Sequence, residues 1–135
     1  MTIILFILIL ALLIFVHELG HFLVAKAVGA RVDEFGLGFP PKLFSYQFGE
    51  TLYTLNIIPF GGFVRIHGEN PDEDEVKTEG ENPPADKERS LNNKPKWQQA
   101  LVLLAGVTFN MILAWLLVSA GLMSGLPMSA GVAED

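Results

Sequence analysis

The run TIILFILILALLIFVHELGHFLVAKAV, Thr2–Val28, carries no charge from Ile3 to Val16 and regains its apolar character after Gly20. As a helix it would be roughly 40 Å long, enough to cross a bilayer core with some tilt. A secretory signal peptide is the main competing reading, and it fits badly. There is no basic stretch ahead of the run, and His17 and Glu18 stand where a small-residue cleavage site belongs.

Working outward, a second apolar block extends from about Gln98 to Met123, with Trp97 and Trp115, small residues such as Gly106 and Ala114, and no charged side chain over Ala100–Met123. It reads as a second span. The chain has 135 residues, 50% of them hydrophobic, and a mean hydropathy of +0.40. That is one domain at most, and too apolar for an ordinary small soluble one. There is no cysteine, which excludes disulfides and thiolate metal sites. The net charge of −6 comes largely from one short acidic run and says little about a partner.

All nine basic residues fall between Lys26 and Lys96, and Lys26, Arg31, Lys94 and Lys96 crowd the two membrane borders. The positive-inside rule therefore puts the loop 31–96 in the cytoplasm and both termini outside; acidic residues weigh little in that rule.

Inside the first span lies His17-Glu18-Leu19-Gly20-His21. Residues four apart share a helix face, so His17 and His21 can aim two imidazoles at one Zn²⁺. Glu18 would serve as general base toward the attacking water and then as proton donor to the leaving amine. Incidental histidines on a helix are the bland alternative. Ionisable groups inside an apolar span are costly, however, and point to function by default. The motif's depth puts the metal in the inner half of the bilayer, with a polar recess reaching it from the loop side.

Within the loop, Phe44, Tyr46 and Phe48 alternate with polar residues, Gly49-Glu50 makes a turn, and Tyr53, Leu55 and Ile57 alternate again. This is a hairpin pattern. Pro59 and Gly61-Gly62 are expected to break it, with Phe63–Ile66 adding a short further strand, while Gly36, Gly38, Pro40 and Pro41 punctuate the lead-in. Such a sheet could simply rest on the membrane surface, or its edge could pair with an unwound substrate segment. Residues 69–92 read as an acidic flexible loop. The spacing of Asp72, Asp74 and the neighbouring glutamates fits no cation-binding motif. The expected class is thus membrane α+β: transmembrane helices over 2–28 and 97–123, a β loop over 30–68 holding a small antiparallel sheet, and 124–135 beginning an extracytoplasmic region.

Four segments together resemble the site-2 protease family of intramembrane zinc metalloproteases, in its bacterial RseP-like branch. They are Phe15–Phe22, Ile58-Pro59-Phe60-Gly61-Gly62-Phe63-Val64, Asn93–Ala100, and Ala105-Gly106-Val107-Thr108-Phe109-Asn110. They span most of the chain outside the acidic insert. The resemblance implies regulated intramembrane proteolysis in the bacterial inner membrane. It assigns His17 and His21 to zinc and Glu18 to acid/base catalysis. It gives the β loop around Asn56, Ile57, Ile58, Gly61 and Gly62 to substrate binding. Implied partners are the lipid bilayer and membrane-protein substrates such as anti-sigma factors or remnant signal peptides, with no nucleic acid. Asn110 matches an asparagine of the family's second span, where a structural helix–helix hydrogen bond and an auxiliary catalytic role are equally open. Val107 departs from the usual proline. The family's third ligand, an aspartate from a Leu-Asp-Gly motif in a later span, has no counterpart here; Asp33, Glu34 and His67 are poor substitutes. A fragment, inactive alone, is therefore expected. Two other classes compete with the enzyme. A non-catalytic module binding substrate segments would not need Glu18, and a metal transporter or sensor would need more polar residues in the second span than Thr108, Asn110 and Ser119.

Overall fold

The computed structural model describes residues 1–69 and 87–125. Among the described residues, two long helices, α1 (Thr2–Ala27) and α2 (Lys96–Met123), flank strands β1 (Val32–Phe48) and β2 (Thr51–Ile66) and a 3-10 turn at Leu91–Asn93. Both helices are long and apolar enough to cross a membrane by length and composition. Large apolar side chains from Ile3 to Leu12 on α1 and from Leu101 to Leu122 on α2 are exposed, so neither helix has a solvated polar face. The acidic stretch expected at 69–92 falls largely outside the described residues, as does most of 124–135.

Helix α1 stops at a glycine because the turn that follows demands one. Gly29 takes φ +72°, its N–H donates to the Lys26 carbonyl at 3.1 Å, and the Ala30 N–H reaches back to the Ala25 carbonyl at 2.9 Å. This pair of bonds closes the helix end and turns the chain directly into β1.

Strands β1 and β2 pair antiparallel, and the chain uses each of them twice. Phe44–Phe48 closes on Thr51–Leu55 across the Gly49-Glu50 turn, matching the hairpin expected from alternation. Residues Glu34–Leu37 then lie between the two halves of β2, facing Gly62–Arg65 on one side and Leu52–Leu55 on the other. The break expected at Pro59 and Gly61-Gly62 does not end the strand. Gly61 adopts φ +106°, and the irregularity is absorbed as register shifts between two strands that each run through. The punctuated lead-in likewise proves to be β1 itself.

The sheet is attached to α1 by an aromatic cluster. Phe22 lies 5.2 Å from Phe35 and 6.0 Å from Tyr53, and Phe15 meets Phe35 edge-on at 6.1 Å. Below it, Ala25, Ala30, Val32, Ile66, Leu91 and Val102 form the buried core, joining both helices, the sheet and the 3-10 turn. Glu34 is buried, but Thr54 donates to it at 3.0 Å and Arg65 at 3.2 Å, so its charge is compensated. At the hairpin turn, Glu50 is held by Lys26 at 2.6 Å and by both guanidinium nitrogens of Arg89 at 2.6 and 2.7 Å. One carboxylate thereby joins the end of α1, the hairpin and the segment leading into α2. These partners hold its pKa down to about 2, with the Arg89 hydrogen bonds contributing most.

Candidate metal centre

Helices α1 and α2 meet through small residues. A β-carbon on Gly20 would fall 2.7 Å from the Ala105 carbonyl oxygen, so glycine is what lets the backbones approach here. Close approach brings the polar face of α1 onto the backbone of α2. His21 Nδ1 lies 2.7 Å from the Val102 carbonyl. A carbonyl only accepts, so Nδ1 carries the proton and Nε2 of the neutral ring keeps its lone pair.

His17 and His21 stand edge to face, their ring centroids 4.8 Å apart, with the two Nε2 atoms 3.2 Å apart. Two imidazole nitrogens bound tetrahedrally at zinc distances would be about 3.3 Å apart, so the pair already has the spacing of adjacent ligands. A β-carbon on Gly106 would lie 2.7 Å from His17 Nε2 and collide with His21 Nε2. Glycine thus keeps carbon out of the space beside both Nε2 atoms.

The outer nitrogen of His17 faces Asn110, with Nδ1 and the amide Nδ2 3.4 Å apart, while Asn110 Oδ1 is buried without a hydrogen bond. A half-turn of the amide, whose oxygen and nitrogen are interchangeable by shape, puts the orphaned oxygen on His17 Nδ1–H. The Nε2 lone pair of His17 is then free, as a ligand requires. The two imidazoles have the spacing of two adjacent zinc ligands, and a zinc site needs at least one more protein ligand.

Glu18 packs beside this pair. A recess of about 140 Å³ is lined by Leu13, Ile14, His17, Glu18 and Asn110, large enough for water at the carboxylate. Gly62 of β2 closes on the same side chain: a β-carbon there would fall 3.0 Å from Glu18 Cγ.

Of the five β-loop residues expected to bind substrate, Gly62 is therefore at the site and Gly61 adjoins it. Asn56 is buried in a neighbouring cavity with Gly61, and Ile57 and Ile58 are exposed along β2. Asp33 is occupied by Arg31 at 2.7 Å and His67 at 3.4 Å, and Glu34 is held within the sheet. Among the described residues no three of His, Cys, Asp and Glu gather into a metal-binding group. Sequence reasoning missed the Val102 carbonyl and the role of Gly106. The matching four-residue spacings of 17/21 and 106/110 were a usable signal, since each pair shares one helix face.

The model of peptidase family M50 matches residues 5–134. The chain is 47% identical over 123 residues to a Clostridium perfringens protein that bears a provisional zinc-metalloprotease name, covering 91% of this chain and 32% of that protein. It is 45% identical over 108 residues to the regulator of sigma-W protease RasP of Bacillus subtilis, and 43% identical over 108 residues to the zinc metalloprotease RasP of Bacillus licheniformis. Each of those alignments covers 76% of this chain and 26% of the relative, so the chain spans about a third or less of the proteins it matches.

Proposed function

The chain belongs to peptidase family M50, the site-2 protease family, and on that footing we propose that it supplies two zinc ligands and the general base of an intramembrane endopeptidase. The observation that carries this is the convergence of the His17 and His21 Nε2 atoms, 3.2 Å apart, beside Glu18.

When bound, Zn²⁺ supplies Lewis-acid polarisation of the scissile carbonyl and makes water a stronger nucleophile. The residues of this chain do the rest. Glu18 takes a proton from the attacking water as the C–O bond forms, then delivers it to the departing amine as the C–N bond breaks. Val102 and Asn110 fix the two imidazole rings through their outer nitrogens, which keeps both lone pairs aimed at one point. The β2 segment around Gly61 and Gly62 lies where an extended substrate would have to pass Glu18, and pairing with strand backbone would hold it open for attack. The third protein ligand comes from outside the described residues.

Both helices cross the bacterial inner membrane, with the intervening loop on the cytoplasmic side where the basic residues lie. The substrates are membrane-protein segments. The name of the Bacillus subtilis relative, a regulator of sigma-W protease, supports anti-sigma factors as one class.

The test is cleavage of a synthetic transmembrane peptide by the complete protein, with and without Glu18→Gln. Loss of cleavage with zinc content unchanged supports the assignment. Cleavage that survives the substitution contradicts it.

A further inference from the structure

Residues Glu34–Leu37 of β1 meet Gly62–Arg65 of β2 in four regular pairs: Glu34 with Arg65, Phe35 with Val64, Gly36 with Phe63, and Leu37 with Gly62. The register shifts on both sides of this stretch, between Val32 and Glu34 and again between Leu37 and Phe39. Its alignment is therefore not inherited from the neighbouring pairs and has to be fixed within it. Alternation turns Phe35 toward Phe15 and Phe22 on α1, and on that same face Gly62 packs against Glu18 and Ile14. A slip of one residue would reverse the faces. It would bring Phe63 to the place where even a β-carbon on Gly62 would fall 3.0 Å from Glu18 Cγ.

The face turned away from α1 carries the fasteners. Glu34 is only 6% exposed and takes no part in the chemistry assigned above. Its carboxylate accepts from Thr54 Oγ1 at 3.0 Å and from Arg65 at 3.2 Å, and Lys42 Nζ stands 3.4 Å away. Thr54 and Arg65 lie in the two halves of β2 that flank Glu34, so one buried group ties three segments together. One pair along, the Phe63 ring lies over Gly36, where a β-carbon would collide with it and fall 2.8 Å from Thr54 Oγ1. Well-packed apolar side chains often serve stability as well as a buried ion pair, and the best-attested use of such groups is to specify register. A slip would carry Arg65 to the opposite face and leave the buried Glu34 carboxylate without its guanidinium partner.

We infer that Glu34, paired with Arg65, is a positioning residue for the general base: it locks the register that sets Gly62, and not Phe63, against Glu18. This rests on the protease reading above and extends it to a buried carboxylate on the far side of the sheet.

The experiment uses the complete membrane-embedded protein and a synthetic transmembrane peptide as substrate, with zinc content measured for every variant. Glu34→Leu and Arg65→Leu each lower kcat by about tenfold or more, with KM changed much less and zinc at the parent level. Arg65→Lys keeps the cation and recovers most of the loss. Glu34→Cys combined with Arg65→Cys replaces the ion pair by a disulfide between opposed residues, whose α-carbons in an antiparallel pair lie within about 5.5 Å. Oxidised, this variant turns over at close to the parent kcat; reduced, it is as slow as Glu34→Leu. Gln47→Cys combined with Leu52→Cys, another opposed pair, fastens the hairpin alone and restores nothing in a Glu34→Leu background. Parent-like kcat or lost zinc in the leucine variants overturns the register lock and leaves the protease reading standing. So does an oxidised 34/65 pair that stays slow or fails to crosslink, or rescue by the 47/52 disulfide. A parent protein that holds zinc but cleaves no peptide overturns both.

Discussion

Gly106 and His21 are in such close contact that a β-carbon on the glycine would collide with the Nε2 atom of the histidine. The contact sets the helix packing and the positions of both imidazoles at once. Gly106→Ala must push α2 away or rotate the His21 ring, and the Val102 carbonyl bond that orients the ring goes with either movement. Zinc affinity is expected to fall by about tenfold or more, in line with losses at other ligand-orienting positions. Equilibrium dialysis against a zinc buffer measures it, and an unchanged affinity would show that the site does not use this gap.

Asn110 faces the outer nitrogen of His17. Asn110→Leu keeps the volume but leaves His17 Nδ1 without a partner, and is expected to weaken zinc binding by roughly 10- to 100-fold. Asn110→Asp retains an acceptor for Nδ1–H and is expected to restore much of that affinity. If the leucine and aspartate variants bind zinc equally well, Asn110 serves helix packing only.

Gly62 packs against Glu18. Gly62→Ala drives a methyl group into the Glu18 side chain, 3.0 Å from Cγ. Cleavage by the complete protein is expected to fall by at least about tenfold, because acid–base catalysis tolerates little misplacement, while zinc content stays at the parent level. Loss of zinc in this variant would mean that β2 shapes the metal centre itself.

The Glu50 clip gives the hairpin a pH dependence. Its pKa in the folded chain is about 2, below the ordinary 4.5, so the carboxylate stabilises the fold fully above that ordinary value and the contribution drains away as pH falls toward 2. Hydrogen exchange at the Gly49-Glu50 turn should therefore accelerate between pH 4.5 and about 2 beyond the intrinsic trend. Glu50→Gln should exchange faster at neutral pH and lose that extra acceleration. A variant that exchanges like the parent at both ends of the range would remove the clip from the account.

Much of this was legible because it is written in local pattern. The uncharged run through Val16, the four-residue spacing of His17 and His21, and the alternation of Phe44, Tyr46 and Phe48 each depend only on near neighbours in sequence. What escaped depends on pairings between distant segments. Nothing local shows that Glu34–Leu37 will be flanked by both halves of β2, or that Gly61 will turn an expected break into a bulge. The same holds for Lys26, Glu50 and Arg89, which converge from three separate stretches. At the site, the sequence showed Gly106 only as one of the small residues of the second span. Only the packed helices show that its missing side chain faces both imidazoles.

The central claim is that His17 and His21 bind one zinc together. X-ray absorption at the zinc edge, on the complete protein loaded with one equivalent, tests it most directly. The account predicts at least two imidazole nitrogens at about 2.0–2.1 Å, falling by one in either His17→Ala or His21→Ala, with affinity sharply reduced in both. A first shell that neither substitution alters would contradict it.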